Sequence, residues 1–182
     1  MLVLTDGIQC TDRYIIVALD KLLLINIYLP SCSSLYDLDS LCSIFNDITC
    51  AIEGVEVSYT IAGGDLNRNV LQTSQFSKCI NDNMSLLGLS VCNNFLPTPS
   101  TIDYTFAAET RGAYSLIDHF FVSNLTPHFV RSLNVIHDSD NFSDHLPLML
   151  KLDSELIKHC CMVPGIKQPV TEQADHNYST LD

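Results

Sequence analysis

The chain has 182 residues, of which 47% are hydrophobic, and it carries a formal net charge of −12 at pH 7. This size and apolar content predict a globular domain with a substantial core and exclude an intrinsically disordered chain. No apolar run reaches the roughly 20 residues of a membrane-spanning helix, so we expect no membrane partner. The acidic charge predicts weak nonspecific attraction to nucleic-acid phosphates unless metal ions or a local basic patch compensate.

Eight cysteines are scattered along the chain without a Cys-x-x-Cys pair or interleaved histidines. This pattern indicates neither a zinc site nor a disulfide framework, because both have recognisable spacings. Reduced thiols fit a nuclear or cytoplasmic protein. The first ten residues lack the leading basic charge of a secretory signal.

The N-terminal half combines apolar strands with amphipathic helices. The predicted strands are rich in β-branched residues, whereas in the predicted helices apolar residues recur at steps of three and four. The elements are, in order, strands at 13–19 and 22–29, a helix at 36–53, a strand ending at Asp65 and a helix at 75–87. This order indicates an α/β or α+β protein.

The C-terminal half returns to strands and then becomes polar. The predicted strands cover 90–93, 104–106, 115–123, 131–137 and 148–152. Few apolar residues follow them, so we assign the domain to 1–153 and predict a disordered tail at 154–182.

Polar residues stand where three of the predicted strands end or are interrupted. Asp65 and Asn67 follow two glycines, and on an extended segment their spacing puts a carboxylate and an amide on one face. Asp118 interrupts an apolar strand, where an unpaired buried carboxylate would cost several kcal/mol. Asp144 and His145 form a pair just before the last strand.

Each of these signals also has a purely structural interpretation: a Gly-Gly-Asp turn, an aspartate at a strand edge and a solvated surface pair. Their chemistry is nevertheless mutually consistent. A carboxylate and an amide can orient and deprotonate a water, and a histidine held by a carboxylate can face charge that develops on phosphorus. A further carboxylate can hold Mg²⁺. Phosphodiester hydrolysis needs these roles.

Five short motifs follow one another along the chain. They are Asn26–Pro30, Gly63–Asn67, Tyr104–Phe106, Ser115–Asp118 with Phe121–Ser123, and Ser143–Leu148. In this order they resemble the endonuclease/exonuclease/phosphatase superfamily, and most closely the apurinic-type endonuclease domain of non-LTR (LINE-like) retrotransposons. The resemblance implies an α+β fold of the DNase I-like type, a four-layer α/β sandwich in which two mixed β-sheets pack together between outer helices.

The resemblance also implies a role for each site residue. Asp65 and Asn67 would position and activate the attacking water. His145 would contact the scissile phosphate, Asp118 would orient His145, and Asp144 would sit by a Mg²⁺ or Mn²⁺ ion. Whether Asp65 or His145 is the general base is left open.

Candidate phosphate contacts are Tyr36, Arg68 and Arg111, while Tyr28 is assigned to the core in preference to the site. In the family, a preceding N-terminal portion contributes strands, an early Asn and a metal-binding Glu. Here the first glutamate is Glu53, on a predicted helix. We therefore expect a domain that lacks the N-terminal strands, binds Mg²⁺ or Mn²⁺ weakly and has impaired activity.

The sequence thus predicts a metal-dependent DNA endonuclease domain. Two alternatives remain: a superfamily phosphatase acting on a lipid or inositol phosphate, which the acidic charge favours, and a non-catalytic remnant of a retroelement. The sequence indicates no stable protein partner.

Overall fold

The computed structural model describes residues 7–31, 36–97, 101–108, 112–137 and 141–160, without the side chains of residues 36 and 37. Its elements are β1 (Ile8–Cys10), β2 (Tyr14–Leu19), β3 (Leu22–Ile27), α1 (Tyr36–Ile52), β4 (Tyr59–Asp65), α2 (Gln75–Leu86), β5 (Leu89–Val91), β6 (Phe106–Ala108), β7 (Ala113–Ser115), β8 (Asp118–Ser123), β9 (Val130–Val135), β10 (Leu148–Leu152) and α3 (Ser154–Cys160). Short 3-10 helices lie at Cys92–Phe95 and Pro127–Phe129. Both predicted long helices are present.

The main sheet has six strands in the order β1-β2-β3-β4-β8-β5. Its neighbouring strands are antiparallel except for β3 and β4, which run parallel because α1 forms the crossover between them. β2 and β3 form the predicted hairpin, and at its turn Asp20 adopts a left-handed conformation with φ of 47° that Asp tolerates better than most residues. The strand that ends at Asp65 is therefore central, between β3 and β8.

One face of this sheet packs against α1 and α2. In β3, Leu23, Ile25 and Ile27 alternate with more exposed residues and are almost fully buried. They belong to one core cluster with the apolar sides of the two helices, which supply Leu41, Phe45, Ile48, Ile80 and Met84. Each such side chain contributes about 1.5–3 kcal/mol by leaving water. This core fixes the sheet that carries the polar strand ends.

The opposite face of the sheet contributes Ile61 and Val122 to a second core. A two-stranded antiparallel sheet of β9 and β10 supplies Val130, Leu150 and Leu152 to it. A second β layer thus covers part of the main sheet on the side away from α1 and α2.

The predicted start of the polar tail at residue 154 is too early. Residues Ser154–Cys160 form α3, in which Leu156 and Cys160 are buried in the second core. The two apolar residues are four positions apart, so they share one helix face. A single pair with this spacing is too short a pattern to predict a helix from the sequence alone. The remaining tail, 161–182, lies outside the described residues.

The predicted strand at 115–123 is interrupted. β7 ends at Ser115 and β8 begins at Asp118. The chain bends between them because the buried Thr105 hydroxyl accepts the N–H groups of both Ile117 and Asp118, at 3.1 Å each. As a result β7 pairs with β6 in a separate hairpin, while β8 joins the main sheet.

Candidate active site

The end of β4 is built around two glycines because neighbouring strands approach it closely. A Cβ atom on Gly64 would lie 2.1 Å from the carbonyl oxygen of Ile27, and its φ of +136° is unfavourable for any other residue. A Cβ atom on Gly63 would lie 2.5 Å from the ring of Phe120. Backbone hydrogen bonds then hold the strand end on both sides: the Leu29 N–H donates to Asp65 O, and the Leu66 N–H donates to Ile117 O. These backbone hydrogen bonds fix the position of Asp65.

Asn67 fixes the Asp65 side chain, although not through the extended geometry predicted from the sequence. The strand ends at Asp65, and Asn67 has a left-handed φ of 51°. Its backbone N–H donates to Asp65 Oδ1 at 2.8 Å, and its side-chain amide donates to Leu29 O at 2.8 Å and to Asp65 Oδ2 at 3.3 Å. The predicted proximity of the carboxylate and the amide is present, but a tight turn produces it.

Asp118 lies next to Asp65 because the two residues are paired in the antiparallel register of β4 and β8. Both carboxylates are largely shielded from solvent, with side chains 19% exposed for Asp65 and 18% exposed for Asp118. Two acids held this close in a partly buried position need a cationic or hydrogen-bonding partner.

His145 supplies that partner. Its Nδ1 lies 3.0 Å from Asp118 Oδ2, and its Nε2 lies 3.9 Å from Asp65 Oδ2. Since a carboxylate can only accept, Nδ1 carries the proton of this hydrogen bond, which directs Nε2 toward Asp65. The ring of Phe106 packs edge-on against the imidazole, with centroids 5.2 Å apart. Residues far apart in sequence thus converge on one point.

The loop that carries His145 is held by hydrogen bonds from several directions. The Asn141 side chain donates to His145 O at 2.7 Å, and the His145 N–H donates to Ser143 Oγ at 3.0 Å. The Leu146 N–H donates to Thr105 O at 2.6 Å. Thr105 therefore connects this loop to the bend before Asp118, so it positions both partners of the histidine–aspartate pair.

The electrostatics of the site act most strongly on Asp65. Burial raises the pKa of this carboxyl, the negative charges of Asp118 and Asp144 raise it further, and the Asn67 N–H and His145 partly offset the rise. A carboxylate with a raised pKa is a stronger base than a free one, which is the property that a water-activating group requires. The raised pKa is compatible with the predicted role of Asp65.

A cleft of about 540 Å³ opens beside the pair of Asp118 and His145. Its walls include the apolar side chains of Leu24, Ile61 and Phe120. The cleft gives a ligand room to approach the imidazole from the side of the sheet that faces away from α1 and α2.

Comparisons with known proteins identify the fold of the chain. No protein-family profile matches the sequence, and a sequence search of characterised proteins finds no match. The structure, however, is similar to the 3′ phosphatase NExo from Neisseria, bound to product DNA hairpin, with a TM-score of 0.60 and 18% identity over 78% of this chain and 65% of that one. An AP endonuclease from Archaeoglobus fulgidus matches with a TM-score of 0.60 and 16% identity, over 78% of this chain and 65% of that one. The chain has the DNase I-like fold.

A third similar structure is the endonuclease domain of TRAS1, a telomere-specific non-LTR retrotransposon. It matches with a TM-score of 0.55 and 17% identity, over 77% of this chain and 60% of that domain. The predicted DNase I-like fold class is thus confirmed. The chain spans a little less than two thirds of the length of these DNase I-like structures.

The other predicted site residues are exposed, engaged within their own loop, or outside the described part of the chain. Asp144 is exposed; its carbonyl oxygen accepts the Ala107 N–H, and its charge reaches Asp65. Arg68 is engaged in its own loop, where it donates to Asn67 O at 2.9 Å and stacks on the ring of Phe76 at 5.0 Å. The side chain of Tyr36 and all of Arg111 lie outside the described part of the chain. Whether these residues contact phosphate stays a prediction.

The assignment of Tyr28 to the core is wrong, since its side chain is 48% exposed and the guanidinium of Arg13 lies over its ring. The alternation of β3 continues past its last residue, with Ile27 and Leu29 buried, so Tyr28 lies on the exposed side of the chain.

Two supporting residues were missed in the sequence. His119 is 2% exposed, and its Nε2 accepts the Val70 N–H at 3.3 Å, which ties the loop after β4 to β8. Thr105 is fully buried and organises the bend described above. Thr105 lies within the Tyr-Thr-Phe motif, so its presence there was a usable signal. His119 had none, because only the strand register gives it a partner.

Within the described ranges, no three His, Cys, Asp or Glu side chains converge in a way that could hold a metal ion. The Asp65 carboxylate accepts a hydrogen bond from the Asn67 amide, and the Asp118 carboxylate is hydrogen-bonded to the His145 ring. The described residues therefore do not form a complete metal centre. None of the helices in the described part of the chain has both the length and the apolar character of a membrane-spanning segment.

Proposed function

We propose that this chain is a phosphodiester hydrolase of the retrotransposon endonuclease type and that its substrate is DNA. The observation that carries the proposal is the convergence of Asp65, His145 and Asp118 within hydrogen-bonding or near hydrogen-bonding distance. The three similar structures are those of a phosphatase, an AP endonuclease and a retrotransposon endonuclease domain, which supports chemistry at phosphorus.

Asp118 and His145 act together in this proposal. Asp118 accepts the Nδ1–H of the ring and so fixes both its orientation and its tautomer. The Nε2 atom is then free to meet the phosphate group. In its protonated form the ring would donate from Nε2 to an oxygen that gains negative charge as the bond to phosphorus breaks.

Asp65 and Asn67 act on the water in this proposal. The Asn67 N–H and amide hold the carboxylate in one orientation. Because the pKa of Asp65 is raised, its carboxylate is a better proton acceptor than a solvent-exposed aspartate. His145 is the alternative base, and the pH profiles of variants distinguish the two: the residue whose replacement removes the acidic limb of the rate profile is the base.

A nicking assay on supercoiled plasmid in millimolar Mg²⁺ or Mn²⁺ tests the proposal. We expect nicking that falls about 100-fold or more in Asp65→Asn and in His145→Ala, the usual effect of removing a general acid or base. Matched controls are Asp82→Asn and His128→Ala, which replace exposed residues that take no part in the site. Equal nicking by all four variants would indicate a contaminating nuclease and contradict the proposal.

A phosphatase acting on a lipid or inositol phosphate is the second candidate. The net charge of −12 favours it, because a small phosphate ester needs no extended basic surface, whereas DNA is repelled by an acidic one. Release of inorganic phosphate from inositol phosphates and phosphoinositide vesicles, measured beside the nicking assay with the same variants, separates the two substrates.

The third candidate is a non-catalytic remnant, and the absence of a three-ligand metal cluster from the described residues favours it. Calorimetric titration with Mg²⁺ and Mn²⁺ addresses this directly. We expect weak binding, and no binding together with no turnover on any substrate would favour the remnant over both hydrolases.

A further inference from the structure

Two cysteines on different helices face one another behind the active site. Cys42 lies on α1 and Cys79 on α2, and their sulfur atoms are 3.8 Å apart. Both side chains are partly accessible to solvent. A disulfide bond has an S–S length of about 2.05 Å, so the sulfurs need to approach by about 1.8 Å.

We propose that Cys42 and Cys79 form a reversible disulfide that locks α1 to α2, and that its oxidant is a hydroperoxide such as hydrogen peroxide. This inference does not depend on the proposed hydrolase function. Among the other described cysteines, Cys10 and Cys50 are exposed, and Cys92 and Cys160 are buried in the second core.

The reaction balances with one peroxide. The Cys42 sulfur attacks a peroxide oxygen, so that an S–O bond forms, the O–O bond breaks, and the departing hydroxide takes a proton to become water. The Cys79 sulfur then attacks the sulfenic sulfur of Cys42, so that the S–S bond forms, the S–O bond breaks, and a second water leaves. Two thiols and one hydrogen peroxide thus give a disulfide and two waters.

The order of attack follows from the surroundings of Cys79. Burial raises the pKa of the Cys79 thiol to about 11, and the neighbouring Cys42 adds to the rise. At neutral pH the Cys79 thiol is therefore a slow first nucleophile, which makes it the second sulfur to react. The Asn83 amide donates to Cys79 Sγ at 3.6 Å and would stabilise the thiolate during that step.

The position of α2 connects this bond to the rest of the molecule. The Ser77 hydroxyl of α2 donates to Asn69 O, and the Asn81 side chain donates to Val70 O, both at 2.9 Å. Asn69 and Val70 belong to the loop that begins with Asn67. A cross-link between α1 and α2 therefore makes the support of this loop more rigid.

The test compares reduced protein with protein treated with hydrogen peroxide. We expect an intact mass lower by two hydrogens, one cross-linked peptide pair that contains residues 42 and 79, and reversal by dithiothreitol. Since the bond closes the chain between these residues, we also expect the melting temperature to rise on the order of 10 °C on oxidation.

Matched variants make the outcome decisive. Cys42→Ser and Cys79→Ser should each lose the cross-link and the rise in melting temperature, whereas Cys50→Ser, on the exposed side of α1, should keep both. Should either helix variant fold poorly, alkylation of oxidised wild-type protein followed by peptide mapping gives the same answer. A disulfide between other cysteines, or sulfinic acid at Cys42 without a cross-link, would overturn the proposal.

Discussion

The buried imidazole of His119 gives the protein a predictable loss of stability in acid. His119 is 2% exposed and burial lowers its pKa from 6.5 to about 4. Between these values the unfolded chain binds a proton that the folded chain does not, so stability must fall as the pH falls from about 6.5 toward 4. The full effect is about 3.4 kcal/mol, at about 1.36 kcal/mol per pH unit, and about 1.3 kcal/mol of it appears between pH 7.5 and 5.5.

Urea unfolding at several pH values measures this effect. The variant His119→Gln keeps a side chain that can accept the Val70 N–H and removes the titrating group. We expect it to lose about 1.3 kcal/mol less than the wild type over the same pH change, while His128→Gln, at an exposed position, behaves as the wild type. The raised pKa of Asp65 acts with the opposite sign, since protonation then favours the folded state, but it is common to all three proteins. Identical pH slopes for the wild type and His119→Gln would refute the reasoning.

Two further predictions concern the supports of the site. Gly64→Ala should destabilise the fold by roughly 3 kcal/mol or more, because both the left-handed φ and the 2.1 Å approach of the new Cβ to Ile27 O are unfavourable. Gly54→Ala, at a φ of +81° with open space around it, should cost only about 1 kcal/mol. Thermal unfolding compares the two variants, and equal losses of stability would contradict the close-approach explanation. Thr105→Val should lower the stability of the fold by about 2 kcal/mol, since two N–H groups lose their acceptor, and it should also lower the hydrolysis rate. In the control Thr49→Val, the lost hydroxyl donates only to the carbonyl of Phe45 on the same helix, so the hydrolysis rate should be unchanged.

The elements that were predicted well are those with strong local signals. The long helices follow from apolar residues at steps of three and four, and the β2–β3 hairpin follows from two β-branched runs around Asp20 and Lys21. The failures have nonlocal causes. Thr105, a dozen residues away, breaks the strand predicted through Asp118, and α3 exists because its two apolar residues meet a core formed by distant strands.

The five ordered motifs were sufficient to predict the fold, and they contained the four residues expected to do the chemistry. The geometry of the site came from the tertiary structure, since the register of β4 against β8 places Asp65 beside Asp118, and the loop at Asn141–Ser143 brings His145 to both. The same limit applies to the contact between Cys42 and Cys79 and to the burial of His119. The physical reason is that sequence spacing constrains only neighbours on one helix or strand, whereas distances between elements depend on how their apolar faces pack.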